Sequence, residues 1–263
     1  ASTRTLIVMA DEKKSDGGPM PIGTFAHLHL HTEFSLLDGG NRLDKLMARC
    51  KELGMGAVAC TDHGNMFGAV AFYTAAKNQG IKPILGTEAY VAQGSRHDRT
   101  HTGESDGGFH LVLLAENDQG WANLCYLASQ AYLTGFYYKP RMDREILRSH
   151  NKGIIAINGH LGSEIGEHLQ KYEESGDESY WRKAVESAEF HASVFTDDGT
   201  GPRFFIEVQH HIPEQNATNK HLIRLARELK LPLVCDNDAH YLRAEDHDAH
   251  DTLVCISTGK GKL

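Results

Sequence analysis

The sequence of 263 residues predicts an α/β protein whose parallel sheet closes into a barrel of the triosephosphate isomerase type. Signals for strands and helices alternate about seven times, and the predicted strands are short apolar runs typical of strands buried on both faces. This alternation indicates a parallel sheet, either doubly wound or closed. Roughly six to eight strand–helix units in a domain of this length favour the closed barrel.

Local patterns predict the individual elements. Apolar runs predict strands at 24–31, 57–62, 81–91, 109–115, 153–158, 203–209 and 231–238. Apolar residues three and four positions apart predict helices at 42–53, 67–79, 117–132, 143–149, 180–195, 214–229 and 244–257. The polar, glycine-rich stretch 93–108 is predicted to be a loop, and residues 134–142 are predicted to be irregular.

A single domain over residues 24–258 is expected, because the sequence shows no internal repeat and no strong boundary there. Residues 1–23 are rich in glycine, proline and charge and are predicted to form a flexible lead-in. The apolar patch at 6–10 is too short for the core of a signal peptide. The chain stops straight after a predicted helix, so residues 259–263 are expected to begin a following region.

Composition limits the classes of protein to which the chain can belong. No apolar run is long enough to span a membrane. The five cysteines are scattered without a CxxC pair, which indicates thiols in a reducing compartment and hence the cytoplasm. The net charge of −8 argues against a domain that holds nucleic acid by its own field. The 17 histidines far exceed ordinary usage, and histidine is the commonest metal ligand.

The stretch FAHLHLHTEFSLLDGG at 25–40 carries three histidines on alternate positions, His27, His29 and His31. Alternation is the period of a strand, so these three side chains are expected on one face and the apolar residues between them on the other. A strand with an ordinary polar face would carry mixed Thr, Lys and Glu instead of repeated histidine. The pattern therefore favours a face of metal ligands or bases.

Ligand-type side chains also follow the carboxyl ends of several other predicted strands, which meet at one rim in an α/β barrel. With the first strand and its loop, they are His29, His31, Asp38, His63, Glu88, His160, His210, His211, Asp238 and His240. Taken singly, the aspartates could serve turns and Glu88 could be a satisfied buried acid. Their recurrence instead indicates a cluster of two or three divalent ions, since mixed imidazole and carboxylate ligands suit Zn, Mn or Fe. Such ions activate water, and they stabilise both the attacking and the leaving oxygen when a phosphate ester is displaced.

Five stretches resemble a known family: HLHLHTEFSLLDG, TDHGNMFGAVAFY, GIKPILGTEAYV, FHLVLLAEN and CDNDAHY. They are similar to the PHP (polymerase and histidinol phosphatase) domain, and most similar to the PHP domains at the N-terminus of bacterial DNA polymerase III alpha subunits. The resemblance covers roughly residues 24–258 in order. It implies a (β/α)7 barrel, a distorted TIM-like fold, with a three-metal cluster held by nine ligands.

Carried over residue by residue, the resemblance implies these metal ligands: His29, His31, Asp38, His63, Glu88, His110, His160, Asp238 and His240. His27 is not among them. His110 stands at the start of its predicted strand, so its assignment rests on the resemblance alone. His160 stands where many polymerase members have cysteine, which shifts the expected metal preference away from thiolate-loving zinc.

The resemblance also implies an activity and partners. The expected activity is metal-dependent phosphoester hydrolysis, with 3′–5′ exonuclease proofreading of DNA, for which Asp38, His63 and Glu88 are the candidate catalytic residues. The expected partners are a single-stranded or frayed DNA 3′ end, the rest of the polymerase alpha chain and replisome subunits, with no membrane. His211, Arg141 and Lys139 are candidates for contacts with phosphate.

Three other interpretations stay open at this stage. The domain could be a structural module of a polymerase that binds metal only for folding. It could instead be a free-standing phosphatase of the histidinol-phosphate type. An amidohydrolase-type barrel shares an HxH motif on its first strand, but it usually requires a lysine at the end of a central strand, and no predicted strand end here carries one.

Overall fold

The computed structural model describes residues 25–100, 107–197, 199 and 201–259. The predicted lead-in at 1–23 and residues 260–263 lie outside the described residues. The strands are β1 (Ala57–Cys60), β2 (Lys82–Val91), β3 (Phe109–Ala115), β4 (Phe136–Tyr137), β5 (Lys139–Met142), β6 (Ile154–Ile157), β7 (Phe204–Val208) and β8 (Leu233–Cys235). The helices are α1 (Leu43–Glu52), α2 (Ala69–Asn78), α3 (Asp118–Leu133), α4 (Arg144–Ser149), α5 (Glu164–Ser175), α6 (Glu178–Val194), α7 (Pro213–Leu229) and α8 (His247–Thr258).

The strands form a curled sheet in the order β4-β5-β2-β3-β6-β7-β8, with β1 paired to β2. The extended segment 27–31 bridges the open side of this sheet. On one side Ala59 N donates to His27 O at 2.8 Å, and on the other His31 N donates to Ala239 O, just beyond β8, at 3.0 Å. The interior is filled by apolar side chains from this segment and from the surrounding strands: Leu28, Ala59, Val112, Leu114, Ile157, Phe205 and Val234. The predicted α/β barrel is confirmed.

The first strand differs from its prediction. Residues 25–32 form only isolated bridges, and bends at 28 and 29 interrupt the alternation. Side-chain oxygens replace the missing ladder partners: Leu28 N and His29 N both donate to Asp236 Oδ2, at 2.7 and 3.1 Å. Consequently the apolar side chains lie in different cores. Leu28 lies in the barrel interior, and Leu30 lies in the core beneath α1 and α2. The prediction that the apolar residues share one face was wrong.

The sheet is also not wholly parallel. Strand β3 runs antiparallel to both β2 and β6, whereas β1, β5, β7 and β8 each have a parallel neighbour. To run parallel to β2, β3 would need a long crossover connection, which usually contains a helix. The described part of the 92–108 connection contains no helix, so β3 runs antiparallel. Residues 134–142, predicted to be irregular, form the β4–β5 hairpin, whose second strand pairs with the end of β2.

The helices pack around the outside of the sheet. A large apolar core lies between the sheet and α3 to α7, and a smaller one lies beneath α1 and α2. Each predicted helix is present with its ends moved by a few residues. The chain also forms α5, for which no separate helix was predicted. Among the described residues no helix combines the length and the apolar character needed to cross a membrane.

Candidate metal centre

The buried carboxylate of Glu88 lies at the centre of a histidine cluster at one end of the barrel. Its Oε2 lies 2.5 Å from His63 Nδ1, and its Oε1 lies 2.8 Å from His110 Nδ1. On the other side, His29 Nε2 is 3.2 Å from Oε1, and His31 Nε2 is 3.6 Å from Oε2. Glu88 is 1% exposed, so four imidazoles meet one carboxylate out of contact with bulk water.

Two aspartates extend the cluster towards solvent. Asp238 Oδ1 lies 2.9 Å from His31 Nε2 and 3.6 Å from His240 Nδ1. Asp38 Oδ2 lies 2.6 Å from His63 Nε2 and 3.4 Å from His240 Nε2. Both aspartate side chains are 31% exposed, so they line the mouth of the site. With these contacts, eight of the nine expected ligands form one connected cluster: His29, His31, Asp38, His63, Glu88, His110, Asp238 and His240.

The direction of β3 explains why His110 belongs to this cluster. Because β3 is antiparallel to β2, the start of β3 lies beside the end of β2, and His110 pairs in register with Tyr90, two residues beyond Glu88. The rim argument from the sequence assumed parallel strands and therefore could not select His110. The antiparallel direction of β3 is the geometric reason why His110 lies in the cluster.

Three of the five described non-glycine residues with positive φ lie at the cluster. Leu37, His160 and Asp238 are non-glycine residues with φ of 61°, 50° and 47°, a region that costs free energy for residues with a Cβ. One of them precedes Asp38 and the other two are expected ligands. Gly159, before His160, has φ 74°, and a Cβ there would lie 3.1 Å from His110 O. The chain thus adopts strained turns where it delivers these side chains.

Five of the ligand atoms are buried and make no well-aligned hydrogen bond among the described residues, although several of them lie close to one another. The unsatisfied atoms in the cluster are His29 Nε2, His31 Nε2, His63 Nδ1, Glu88 Oε2 and Asp238 Oδ1. Buried polar atoms without partners cost free energy, and so many in one place indicate a ligand that satisfies them together. Three groups have ligand atoms within 4.8 Å of one another: His31, His63 and His240; His29, His31 and Glu88; and His63, Glu88 and His110. Imidazole and carboxylate donors at this spacing fit divalent ions.

The histidines and carboxylates of the cluster shift one another's pKa values. Burial lowers the pKa of His31 to about 4, and the neighbouring His63 adds to this effect. Burial also disfavours the charged form of His63, but Glu88 and Asp38 outweigh it and raise the pKa of His63 to about 10. Despite burial, the contacts with His240 and His63 hold the pKa of Asp38 well below its usual range. A cation would replace the proton on His63, since only neutral imidazole binds metal.

A second layer of polar side chains, which the sequence analysis did not single out, supports the ligands. Ser35 Oγ lies 3.1 Å from His31 Nδ1 and donates to Asp62 Oδ1 at 2.8 Å. Glu207 Oε1 lies 3.0 Å from His29 Nδ1. Glu207 is the one charged residue in the apolar strand FFIEV. A charged residue inside such a strand is the sequence signal that could have identified Glu207 as part of the site.

His160, the ninth expected ligand, lies beside the cluster rather than in one of its close groups. It is 1% exposed, its Nε2 lies 2.9 Å from Asn219 Oδ1, and its Nδ1 is buried with no hydrogen-bond partner among the described residues. The short turn that it begins packs on the cluster, because a Cβ on Gly162 would lie 2.9 Å from His110 Nδ1. The assignment of His160 as a ligand stays a prediction.

The three candidates for phosphate contact occupy different places. Arg141 is buried, and its guanidinium donates to the carbonyl oxygens of Gly135 and Asp98, at 3.2 and 2.5 Å, which indicates a structural role. Lys139 Nζ lies 5.3 Å from the centre of the Tyr90 ring, next to the cluster. His211 is exposed in the loop after β7.

Comparison with known proteins identifies the family of the chain. Residues 27–211 match the model of the PHP domain. A DNA polymerase III subunit alpha from Thermus aquaticus is 48% identical over 238 residues, which cover 89% of this chain and 18% of that protein. The subunit from Helicobacter pylori strain J99 is 43% identical over 244 residues, which cover 90% of this chain and 19% of its own length.

A solved amidohydrolase structure from Chromobacterium violaceum overlaps 84% of this chain and 89% of its own, with 16% identity and a TM-score of 0.49. A likeness at that level does not bear on the activity of this chain. The chain spans about a fifth of the length of the polymerase subunits that it matches. Because the PHP model matches more than half of the chain, on a barrel with the ligand cluster at one end, the chain belongs to the PHP domain family.

Proposed function

We propose that this chain is the PHP domain of a bacterial replicative DNA polymerase III alpha subunit and that it hydrolyses phosphodiesters at DNA 3′ ends. The observation that carries the proposal is the set of buried ligand atoms around Glu88 that crowd together without well-aligned hydrogen bonds among the described residues. Its size suits two or three divalent ions of Zn, Mn or Fe. The names of the relatives support the polymerase context.

The cluster divides into a deep and a shallow part with different roles. Bound there, divalent ions would supply Lewis acidity for displacement at phosphorus. His29 and His31 are fully buried and would hold ions away from solvent. The two oxygens of Glu88 face different histidines, so this carboxylate would hold metal together with imidazoles on both of its sides. Asp38 stands at the mouth, where a phosphate would enter.

Delivery of the substrate depends on parts outside this domain. The net charge of −8 gives the chain little attraction for DNA, so we expect weak binding and strong salt inhibition of the isolated domain. The proposed partners are therefore a single-stranded or frayed DNA 3′ end, the rest of the polymerase chain and replisome subunits. The proposed location is the cytoplasm, as the scattered cysteines indicate.

The test compares two substitutions on neighbouring segments in metal-loaded protein. Asp38→Asn keeps the shape of a proposed ligand but removes its charge, and it should slow release of nucleotides from single-stranded DNA by about 100-fold or more. His27→Ala should change the rate much less, because His27 Nδ1 faces Asp236 at 3.6 Å instead of the cluster. The measurements are metal content by elemental analysis and nucleotide release with Mn or Zn present.

Each result supports or contradicts a distinct part of the proposal. Two to three ions per chain, with cleavage that is lost in Asp38→Asn, would support it. Metal-loaded protein that is inert on DNA, on model phosphodiesters and on phosphomonoesters would favour the structural module. Cleavage of phosphomonoesters alone would favour a phosphatase of the histidinol-phosphate type. Full activity of Asp38→Asn would show that the ligand assignment is wrong.

A further inference from the structure

A buried chain of hydrogen bonds joins the end of β7 and the first turns of α7 to two of the expected ligands, His29 and His160. We call it the β7–α7 network, and its members are Glu207, Gln209, Gln215 and Asn219. Glu207, Gln209 and Gln215 are buried, with exposures of 0%, 3% and 6%. None of the four is itself one of the expected ligands.

The network fixes which nitrogen of His29 faces the cluster. Glu207 Oε1 and Oε2 lie 3.0 and 3.3 Å from His29 Nδ1. A carboxylate only accepts hydrogen bonds, so the proton of the neutral imidazole is on Nδ1. In the neutral ring the lone pair is then on Nε2, the atom that lies 3.2 Å from both Glu88 and Asp238, where a cation would take the place of the proton.

The two glutamine amides have a unique orientation. Gln215 Oε1 accepts hydrogen bonds from the backbone N–H groups of His211 and Ile212, at 2.6 and 3.2 Å. Its amide nitrogen must therefore be the end that donates to Gln209 Oε1, at 2.7 Å. This leaves Gln209 Nε2 to donate to Glu207 Oε1 at 3.0 Å. Reversing either amide would set donor against donor or acceptor against acceptor.

The same logic extends to His160 through Asn219. Asn219 Nδ2 donates to the backbone oxygen of Gln209 at 2.6 Å, which fixes the orientation of the amide. Asn219 Oδ1 is then the atom 2.9 Å from His160 Nε2, so this nitrogen carries the proton. The other ring nitrogen, Nδ1, is left with a lone pair and is buried, with no partner in the part of the chain that the structure describes.

We propose that Glu207, Gln209, Gln215 and Asn219 are positioning residues that set His29 to bind metal through Nε2 and His160 to bind metal through Nδ1. The inference rests on the metal centre of the proposed function but not on its catalytic activity. It assigns His160 to the centre by a line of evidence independent of sequence similarity. It also links the loop after β7 to two ligands from other parts of the barrel.

The first test reads the protonated nitrogen of each ring directly, for His160 in metal-free protein at neutral pH and for His29 in zinc-loaded protein. Zinc is needed for His29 because, despite burial, Asp238, Glu207 and Glu88 raise the pKa of this ring and keep both of its nitrogens protonated when no metal is bound. Long-range nitrogen–proton NMR spectra of the ¹⁵N-labelled chain should show His29 protonated at Nδ1 and His160 protonated at Nε2. Single His→Gln substitutions assign the two rings. His160 protonated at Nδ1, or His29 protonated at Nε2, would overturn the inference whatever the protein does to DNA.

The second test measures metal affinity in two matched variants of α7. Asn219→Leu removes the acceptor of His160, and it should weaken binding of Mn or Zn by about tenfold or more, as loss of an outer partner typically does. Asn216→Leu is the control, since Asn216 lies on the same helix but contacts His210, at 2.6 Å, instead of a ligand. Dissociation constants come from competition with a chelator, and the melting temperature of each apo protein reports folding.

Three outcomes separate this inference from the proposed function. Weaker binding in Asn219→Leu only, with wild-type protein that cleaves no phosphoester, would support the inference and contradict the proposed activity. Wild-type affinity in Asn219→Leu, with active wild-type protein, would overturn the inference alone. Absence of metal binding in the wild type would overturn both. If Asn219→Leu does not fold, Asn219→Ser on the same assay decides, because it also removes the acceptor at this distance.

Discussion

His191 is a fully buried histidine on α6 that lies outside the expected ligand set. Its ring stacks on Phe204 with centroids 5.4 Å apart, and its Nδ1 donates to Ser187 O at 2.8 Å. The other nitrogen, Nε2, is buried and has no hydrogen-bond partner within the described residues. Burial lowers the pKa of His191 from 6.5 to about 4, because a charged ring would have no water around it.

This residue should make stability depend on pH. Between pH 4 and 6.5 the unfolded chain binds a proton that the folded chain excludes, so the free energy of unfolding falls as the pH falls through this window. The loss is complete near pH 4 and reaches about 3 kcal/mol, at 1.4 kcal/mol per pKa unit. His191→Phe should reduce the slope of unfolding free energy against pH in urea titrations. An equal slope in both proteins would contradict the prediction.

The pair of strands β2 and β3 is the element that builds the site. Gly86 in β2 lies opposite Leu114 in β3, and a Cβ on Gly86 would lie 2.3 Å from Leu113 O. The nearest contact is with the backbone of the partner strand, which cannot move aside as a flexible side chain can. The close approach of the two strands is therefore possible only with glycine at this position, two residues before Glu88.

Gly86→Ala should push β3 away from β2 and separate Glu88 from His110. We expect a loss of stability of about 1–3 kcal/mol, as for other overpacked sites, together with weaker metal binding. Gly56→Ala is the control, because a Cβ at Gly56 meets nothing within 4 Å. Urea unfolding and metal titration of both variants measure the two effects. Wild-type stability in Gly86→Ala would show that the strands can separate at no cost.

At the scale of the whole molecule, the candidate centre is formed by residues from distant parts of the chain. Its ligands extend from His29 to His240, and the first and last of them belong to segments that pair through His31 N and Ala239 O at 3.0 Å. The bound ions would therefore close the barrel where a regular strand ladder is missing. Metal binding should stabilise the fold as a whole.

Removal of metal should lower the melting temperature. At ion concentrations about 100 times the dissociation constant, binding to the native state alone adds roughly 2.7 kcal/mol per site. For a domain of this size that corresponds to about 5–10 °C. Calorimetry before and after chelation measures the change, with a chelator loaded beforehand with metal as the control. A melting curve unchanged after verified loss of metal would contradict a contribution of the centre to folding.

The sequence by itself determined the barrel class, the helices and the identity of most cluster residues. Helical spacing and short apolar runs are local patterns, so α1 and β1 could be predicted close to their observed bounds. The meeting of the expected ligands at the ends of parallel strands was also predictable, because one topology rule places all such ends at one rim. His110 was found only through the resemblance, since its strand runs the other way.

Only the tertiary structure decided the direction of β3, the broken alternation at 25–32 and the use of Arg141 to hold backbone carbonyls. It also revealed Glu207 and Asn219, which contact the expected ligands His29 and His160 from remote segments. The physical reason is common to these cases. A side chain's chemistry is local, but the hydrogen-bond partner that orients it, or replaces a ladder bond, is supplied by parts of the chain up to about 200 residues away, and no local pattern encodes that partner.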